Sequence, residues 1–223
     1  IKENTNIKVI YYGHDLHFLR LGREYELTGD ISIKREADYW RAIELSMMRK
    51  AEVSYYPSYV EIDAIHQIDP EIPAKAITAY VYDEFLTDIR EDFEKREGLL
   101  FVGGFAHPPN ADAVLWFARE IFPEIRKKLP DVNFYVVGSK VTDEIKALEQ
   151  PGNGIIIKGF VSEEELARLY SVCRVVVVPL RYGAGVKGKV VEALYNGAPI
   201  VTTSTGAEGI PEVETVLETE NDP

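Results

Sequence analysis

The chain has 223 residues, 46% of them apolar and 28% charged, with a formal net charge of −12 at neutral pH. This length buries one substantial core or two smaller ones, and the balance is that of a folded globular chain rather than a disordered one. So acidic a surface excludes nucleic acid or an anionic membrane as the main partner, because a polyanion needs a broad basic face.

In chain order, Ile7 to Tyr12 reads as a strand, Arg35 to Lys50 as a helix, Glu52 to Tyr55 as a short strand, and the residues from Pro57 as a second helix. The charged stretch Asp88 to Gly98 reads as a join. Residues 1–95 are therefore expected to be a partial first α/β domain, and 96–223 a second, Rossmann-like domain cut short at its carboxyl end. From Gly98 onward short apolar runs alternate with amphipathic stretches, the pattern of a parallel sheet covered by helices. The strands are placed at Leu99 to Val102, Asn133 to Val137, Ile155 to Lys158, Arg174 to Pro179 and Pro199 to Thr202. Between the first two, Val114, Phe117, Ala118, Ile121, Phe122 and Ile125 recur at helical spacing, predicting one continuous helix over Ala111 to Lys128. Ser162 with Glu165 reads as a capping box. The single cysteine, Cys173, stands before the run Val175 to Val178 and is assigned to the core. No stretch approaches the ~20 apolar residues of a membrane span and no signal-peptide pattern opens the chain, so a cytoplasmic location is expected, with peripheral membrane association left open.

Chemistry concentrates between Pro179 and Leu194. A buried strand runs into Gly183-Ala184-Gly185-Val186-Lys187-Gly188 and then into a helix, so backbone N–H groups and the positive end of the helix dipole face whatever binds there. If the helix has begun by Gly185, then Gly185, Gly188, Lys189 and Glu192 share one face, and Lys187 points away into solvent. Lys189 is then the cation for a diphosphate, and Glu192, one turn on, accepts hydrogen bonds from ribose hydroxyls. The competing reading is a surface ion pair between Lys189 and Glu192, against which stands the helical cost of glycine at two front positions.

This stretch resembles the carboxy-terminal domain of the large group of retaining GT-B glycosyltransferases often called group 1, or family four. The resemblance continues through Asn196-Gly197-Ala198-Pro199-Ile200-Val201-Thr202-Thr203 and Gly206-Ala207-Glu208-Gly209. Upstream matches are Phe101-Val102-Gly103-Gly104-Phe105 with Pro108-Pro109-Asn110, Val137-Gly138-Ser139, and Lys158-Gly159-Phe160-Val161. It implies a nucleotide-diphosphate sugar as donor substrate, a carbohydrate or glycoconjugate acceptor held largely by the first domain, and neither metal nor other cofactor. It also implies that Gly103 and Gly104 pack against the donor phosphates and that Phe160 and Val161 lie near the base. Many members carry a further glutamate where this chain has Ala184, and Glu208 is the nearest candidate to replace it. In the first region, Tyr11-Tyr12-Gly13-His14-Asp15 ends a strand with a histidine at its carboxyl edge, where α/β sheets hold ligands. The same family has a strand-end His-Asp facing the donor sugar, which makes His14 a candidate catalytic residue beside Lys189. The alternative is a histidine satisfied by local backbone. His17, His66 and His107 have no such context, and Arg20 and Arg23 read as a solvated helix face, with a place facing the cleft as the alternative.

The expected activity is sugar transfer with retention, of the hexosyltransferase type, in polysaccharide or glycoconjugate synthesis. A nucleotide-sugar epimerase of the same architecture, and a catalytically silent nucleotide-binding module or scaffold partner of an active transferase, remain as alternatives. No pair of carboxylates is spaced for glycoside hydrolysis, and no Gly-x-Gly-x-x-Gly follows an early strand as dinucleotide binding requires.

Overall fold

The structure, a computed structural model, describes residues 7–83, 93–213 and 218–221. The predicted join at Asp88 to Gly98 lies partly outside the described residues, as does the carboxyl end at Asp222 and Pro223. The chain divides into two compact units. One comprises Ile1–Val81 with Tyr182–Val186 and Glu208–Pro211, the other Tyr82–Arg181 with Lys187–Ala207 and Glu212–Pro223.

The first unit starts with strand β1 (Ile10–Tyr12), helices α1 (His17–Thr28) and α2 (Ile31–Met48), strand β2 (Val53–Tyr56), helix α3 (Tyr59–Ile68) and strand β3 (Ala74–Ala76). The strands form a parallel sheet in the order β1-β2-β3, with Ile10 opposite Val53 and Ser54 opposite Ala74. Parallel neighbours need crossovers, which the helices supply. Leu16, Leu45, Met48, Tyr56, Ile62, Ile65 and Ile72 form the core, each large side chain contributing roughly 1.5–3 kcal/mol by burial. Two glycines serve the chain path. Gly29 ends α1 in the left-handed conformation at φ 70°, and a Cβ on Gly13 would stand 2.4 Å from the buried Tyr56 ring.

The helix starts of this unit differ in how they are capped. Asp30 caps α2 locally, accepting the Ser32 N–H at 2.8 Å, and α3 opens with a capping box of Ser58 and Glu61. Helix α1 has Leu16 at its N-cap and no local side-chain acceptor. Its cap comes from α2: the buried carboxylate of Glu44 accepts the His17 N–H at 3.0 Å and the Phe18 N–H at 3.1 Å.

The second unit continues with β4 (Leu99–Val102), α4 (Pro108–Trp116), α5 (Phe122–Lys128), β5 (Phe134–Val137), α6 (Asp143–Lys146), β6 (Ile155–Gly159), α7 (Glu163–Val172), β7 (Val175–Val178), α8 (Gly188–Tyr195), β8 (Ile200–Thr202), α9 (Ser204–Ala207) and β9 (Glu218–Thr219). Its six strands are all parallel, in the order β6-β5-β4-β7-β8-β9, as the apolar runs predict. Leu100, Phe101, Phe134, Val136, Val176 and Val178 are buried on these strands.

The single helix expected over Ala111 to Lys128 is interrupted by a π-turn at Phe117–Ile121. Pro123 lacks an N–H and its ring would press on the carbonyl of Arg119 one turn back, so the ladder widens there before α5 resumes. At α7 the Ser162 side chain accepts the Glu165 N–H at 3.2 Å. Cys173 is buried, and burial pushes its thiol up to about 11.

Candidate donor site and its surroundings

Strand order selects a site before any side chain is considered. Strands β4 and β7 are neighbours, yet the chain leaves β4 toward β5 and β6 on one side and leaves β7 toward β8 and β9 on the other. Connections that diverge in this way leave a crevice outside the carboxyl ends of the two strands. The residues that follow those ends are Gly103-Gly104 after β4 and the segment from Pro179 to α8 after β7.

Lys189 stands in the first turn of α8. Its Nζ donates to Asn110 Oδ1 and lies 4.9 Å from the centroid of the Phe101 ring. Asn110, buried in the first turn of α4, uses its Nδ2 to donate to the Gly104 carbonyl at 2.8 Å, which fixes the amide with its oxygen toward the lysine. Gly103 leaves room for this cluster, since a Cβ there would come within 3.0 Å of both the Asn110 amide and Lys189 Nζ. A Cβ on Gly138, at the end of β5, would in turn lie 1.9 Å from the Gly103 carbonyl oxygen. Lys189 keeps some surface along its length, but its ammonium is enclosed by neutral groups. Burial, with Lys187 adding repulsion, brings that amine down to about 7. Among the described residues no carboxylate pairs with it.

Two expectations about this segment are corrected. The helix begins at Gly188 rather than Gly185, because Gly185 sits at φ 74°, a left-handed conformation that cannot continue a helix. Lys187 is therefore the N-cap residue and not a solvated one: it is 8% exposed. The late start moves Lys187 next to Lys189, so two lysines share the opening of α8.

Glu192, one turn after Lys189, is half-buried, and burial holds its carboxyl above the usual range while Tyr170 opposes the shift. Tyr170 from α7 is buried and raised in turn by burial and by Glu192. Its hydroxyl lies near enough to the carboxylate to perturb it but completes no hydrogen bond of ordinary geometry. Phe160 and Val161 follow β6, which β5 separates from β4. The register shifts after Val136, so that Val137 faces Gly159, and Gly159 at φ 66° turns the chain outward, leaving Phe160 83% exposed. The structure thus gathers Gly103, Gly104, Lys189 and Asn110, with Glu192 one helical turn away, and places Phe160 and Val161 at the sheet edge.

His14 and Gly185 belong to the first unit. The His14 ring meets the Tyr12 ring edge-on at 5.2 Å, and its side chain is exposed. A Cβ on Gly185 would reach within 2.6 Å of the His14 carbonyl oxygen, so glycine permits that close approach. The arginines expected to be solvated are both engaged. Arg20 pairs with Asp15 at 2.9 Å. Arg23 grips both oxygens of Glu208, at 2.9 and 2.7 Å, and donates to the Gly183 carbonyl at 2.6 Å. Partners 160 and 185 positions away leave no trace in local spacing. His17 was also passed over in the sequence, and it lies against Glu44, with Nδ1 3.0 Å from Oε1. At the opposite ends of β5 and β6 a cavity of ≈ 830 Å³ is lined by Arg126, Asn133, Lys146 and Gly154 among others. It contains none of the predicted residues.

The model of the family described as Glycosyl transferases group 1 matches residues 96–223. A protein of Klebsiella pneumoniae, described as an uncharacterized 44.6 kDa protein in the cps region, is 32% identical over 116 residues, which is 50% of this chain and 30% of the relative. Among solved structures, TarM superposes with a TM-score of 0.70 at 15% identity, covering 97% of this chain and 41% of that one. Sucrose-phosphate synthase of Thermosynechococcus elongatus gives 0.68 at 18%, covering 92% and 52%. The Anabaena protein HepE, solved in complex with UDP and glucose, gives 0.58 at 17%, covering 89% and 53%. At these identities the structures establish the α/β, GT-B-type fold, and the chain spans about half or less of the length of each of these proteins. With more than half of its residues matched by one family model, the chain belongs to the group 1 glycosyl transferases.

Proposed function

We propose that this chain carries the nucleotide-sugar site of a metal-independent glycosyltransferase, with 96–223 as the donor-binding domain and 1–95 as part of the acceptor-side domain. One observation carries the reading: a buried ammonium, Lys189, is held among neutral partners at the first turn of a helix, beside paired glycines at the switch point of a parallel sheet. Such a cation gains most from a buried anion, and a diphosphate supplies one. Glu192 is the partner for ribose hydroxyls. As the bond from sugar to diphosphate breaks, charge grows on the leaving oxygen, and Lys189 with the N–H groups at the start of α8 opposes it without rearranging. Transfer with retention to a carbohydrate or glycoconjugate acceptor, in a cytoplasmic polysaccharide pathway, completes the proposal. It is supported by the cps-region relative and by the neighbour solved with UDP and glucose.

The test is calorimetric titration with UDP, GDP and ADP of the chain and of its Lys189→Met and Glu192→Ala variants. Selective binding of one diphosphate that both variants weaken supports the reading, whereas affinities unchanged in folded variants would remove these residues from the site. A second reading, a module that binds nucleotide without turnover, is favoured by Ala184 together with the engagement of Glu208 by Arg23. Binding of the donor without its consumption by the full-length protein would select it.

A further inference from the structure

The first unit contains a cluster of groups that neither capping nor core packing fully explains. Trp40 and Glu44 are one turn apart on α2 and face the start of α1. The Glu44 side chain is 2% exposed and already accepts two backbone N–H groups. The carboxylate needs no third donor to finish the cap, yet Oε1 also meets His17 Nδ1 at 3.0 Å. A carboxylate oxygen accepts, so this pattern places a proton on Nδ1 and leaves Nε2 as the ring nitrogen open to a second partner. The imidazole is fixed from a second direction by stacking on Trp40, with centroids 4.7 Å apart and planes at 21°. It nevertheless stays 40% exposed. Tyr39 meets Trp40 edge-on at 6.0 Å and is itself 62% exposed. This ensemble follows the carboxyl end of β1, the side of a parallel sheet where ligands are received.

We propose that His17, Trp40 and Tyr39 form a carbohydrate-binding site on the first unit. A sugar hydroxyl hydrogen-bonds to Nε2 of His17, and the C–H face of the sugar ring lies on exposed aromatic surface led by Tyr39. Glu44 positions the imidazole and Trp40 holds its plane. The chemistry selects this class of ligand. A single oriented ring nitrogen amid aromatic rings matches a molecule that offers hydroxyls and apolar ring faces. An anion is disfavoured by the buried carboxylate directly behind the imidazole. Glycosyl transfer enters only in suggesting that the ligand is the sugar acceptor.

The experiment is NMR titration of the chain with maltose, cellobiose and lactose, following the indole N–H signals of Trp40 and Trp116. Trp116, in the second unit, is the internal reference. A saturable shift of Trp40 with at least one disaccharide is expected, weakened about tenfold or more in His17→Asn and in Tyr39→Ala. Asparagine keeps an N–H for Glu44 while removing the ring nitrogen at the Nε2 position, and Tyr39 is too exposed for its truncation to unfold the chain. Lys189→Met should bind the disaccharide as the parent chain does, so loss of the nucleotide reading and loss of this one are read separately. No shift of Trp40 with any of the three sugars, or undiminished binding by both variants, would overturn the proposal.

Discussion

Two helices of this protein begin just beyond the carboxyl ends of parallel strands, and they treat their positive ends in opposite ways. Helix α1 receives a buried carboxylate from its neighbour: Glu44 accepts the first two N–H groups and leaves little charge unanswered. Helix α8 receives the reverse, two poorly exposed lysines at its opening, with no carboxylate paired with Lys189 among the described residues. A helix start completed by its own chain is structural. One burdened with extra positive charge is stable only to the extent that the rest of the fold offsets it, and it gains from an anion brought from outside. Two strand-helix junctions thus point to different roles.

The largest effect is expected on the completed side. Glu44→Gln keeps the shape but turns an amide N–H₂ toward donors, and it should destabilise the first unit by about 4 kcal/mol, read as lost hydrogen-exchange protection of the α1 amides. A loss below about 1 kcal/mol would mean that water caps α1 equally well and would dissolve the contrast. On the uncompleted side, Lys189→Met should weaken diphosphate binding by about 3 kcal/mol while the bare nucleoside binds nearly as before. Equal losses for both ligands in calorimetry would move the lysine away from the phosphates. Glu192→Ala should weaken the nucleotide and the nucleoside alike, by about 2 kcal/mol.

The smallest effect is a proton. With the Lys189 amine at about 7 in the folded chain and 10.5 as its ordinary value, the folded state holds fewer protons than the unfolded one between those values. Apo stability contributed by this group therefore rises with pH across that window and is lowest below pH 7. A bound diphosphate restores the ammonium, so binding near pH 8 should take up about one proton. Titrations in buffers of different ionisation enthalpy would register the uptake, and Lys189→Met should abolish it.

Some of this was legible from the residues alone. The strands of the second unit announce themselves because a strand buried on both faces must be apolar throughout, as Val175 to Val178 are. That Lys189 and Glu192 lie one helical turn apart was legible from their spacing. Lys187 was misread for a local reason: the position of the first helical residue decides which way its side chain points, and a helix taken as begun by Gly185 starts only at Gly188, because Gly185 is left-handed. The cap of α1 had no local signal at all, since its acceptor lies on another helix 26 positions later. Asn110 was visible as part of a motif, but its role depends on the Gly104 carbonyl that turns its amide. Long-range partners of this kind are set by packing, and no periodicity records them.

The contact of Gly138 with the Gly103 carbonyl bears on how this protein tolerates change. Position 138 is not itself among the residues proposed to meet a ligand, yet any side chain there must displace the backbone of Gly103, which is. In a saturation library selected for nucleotide binding, position 138 should therefore be as intolerant as Lys189 itself, and the intolerance should extend even to alanine. Its variants should remain folded, so a library sorted for folding alone would retain them.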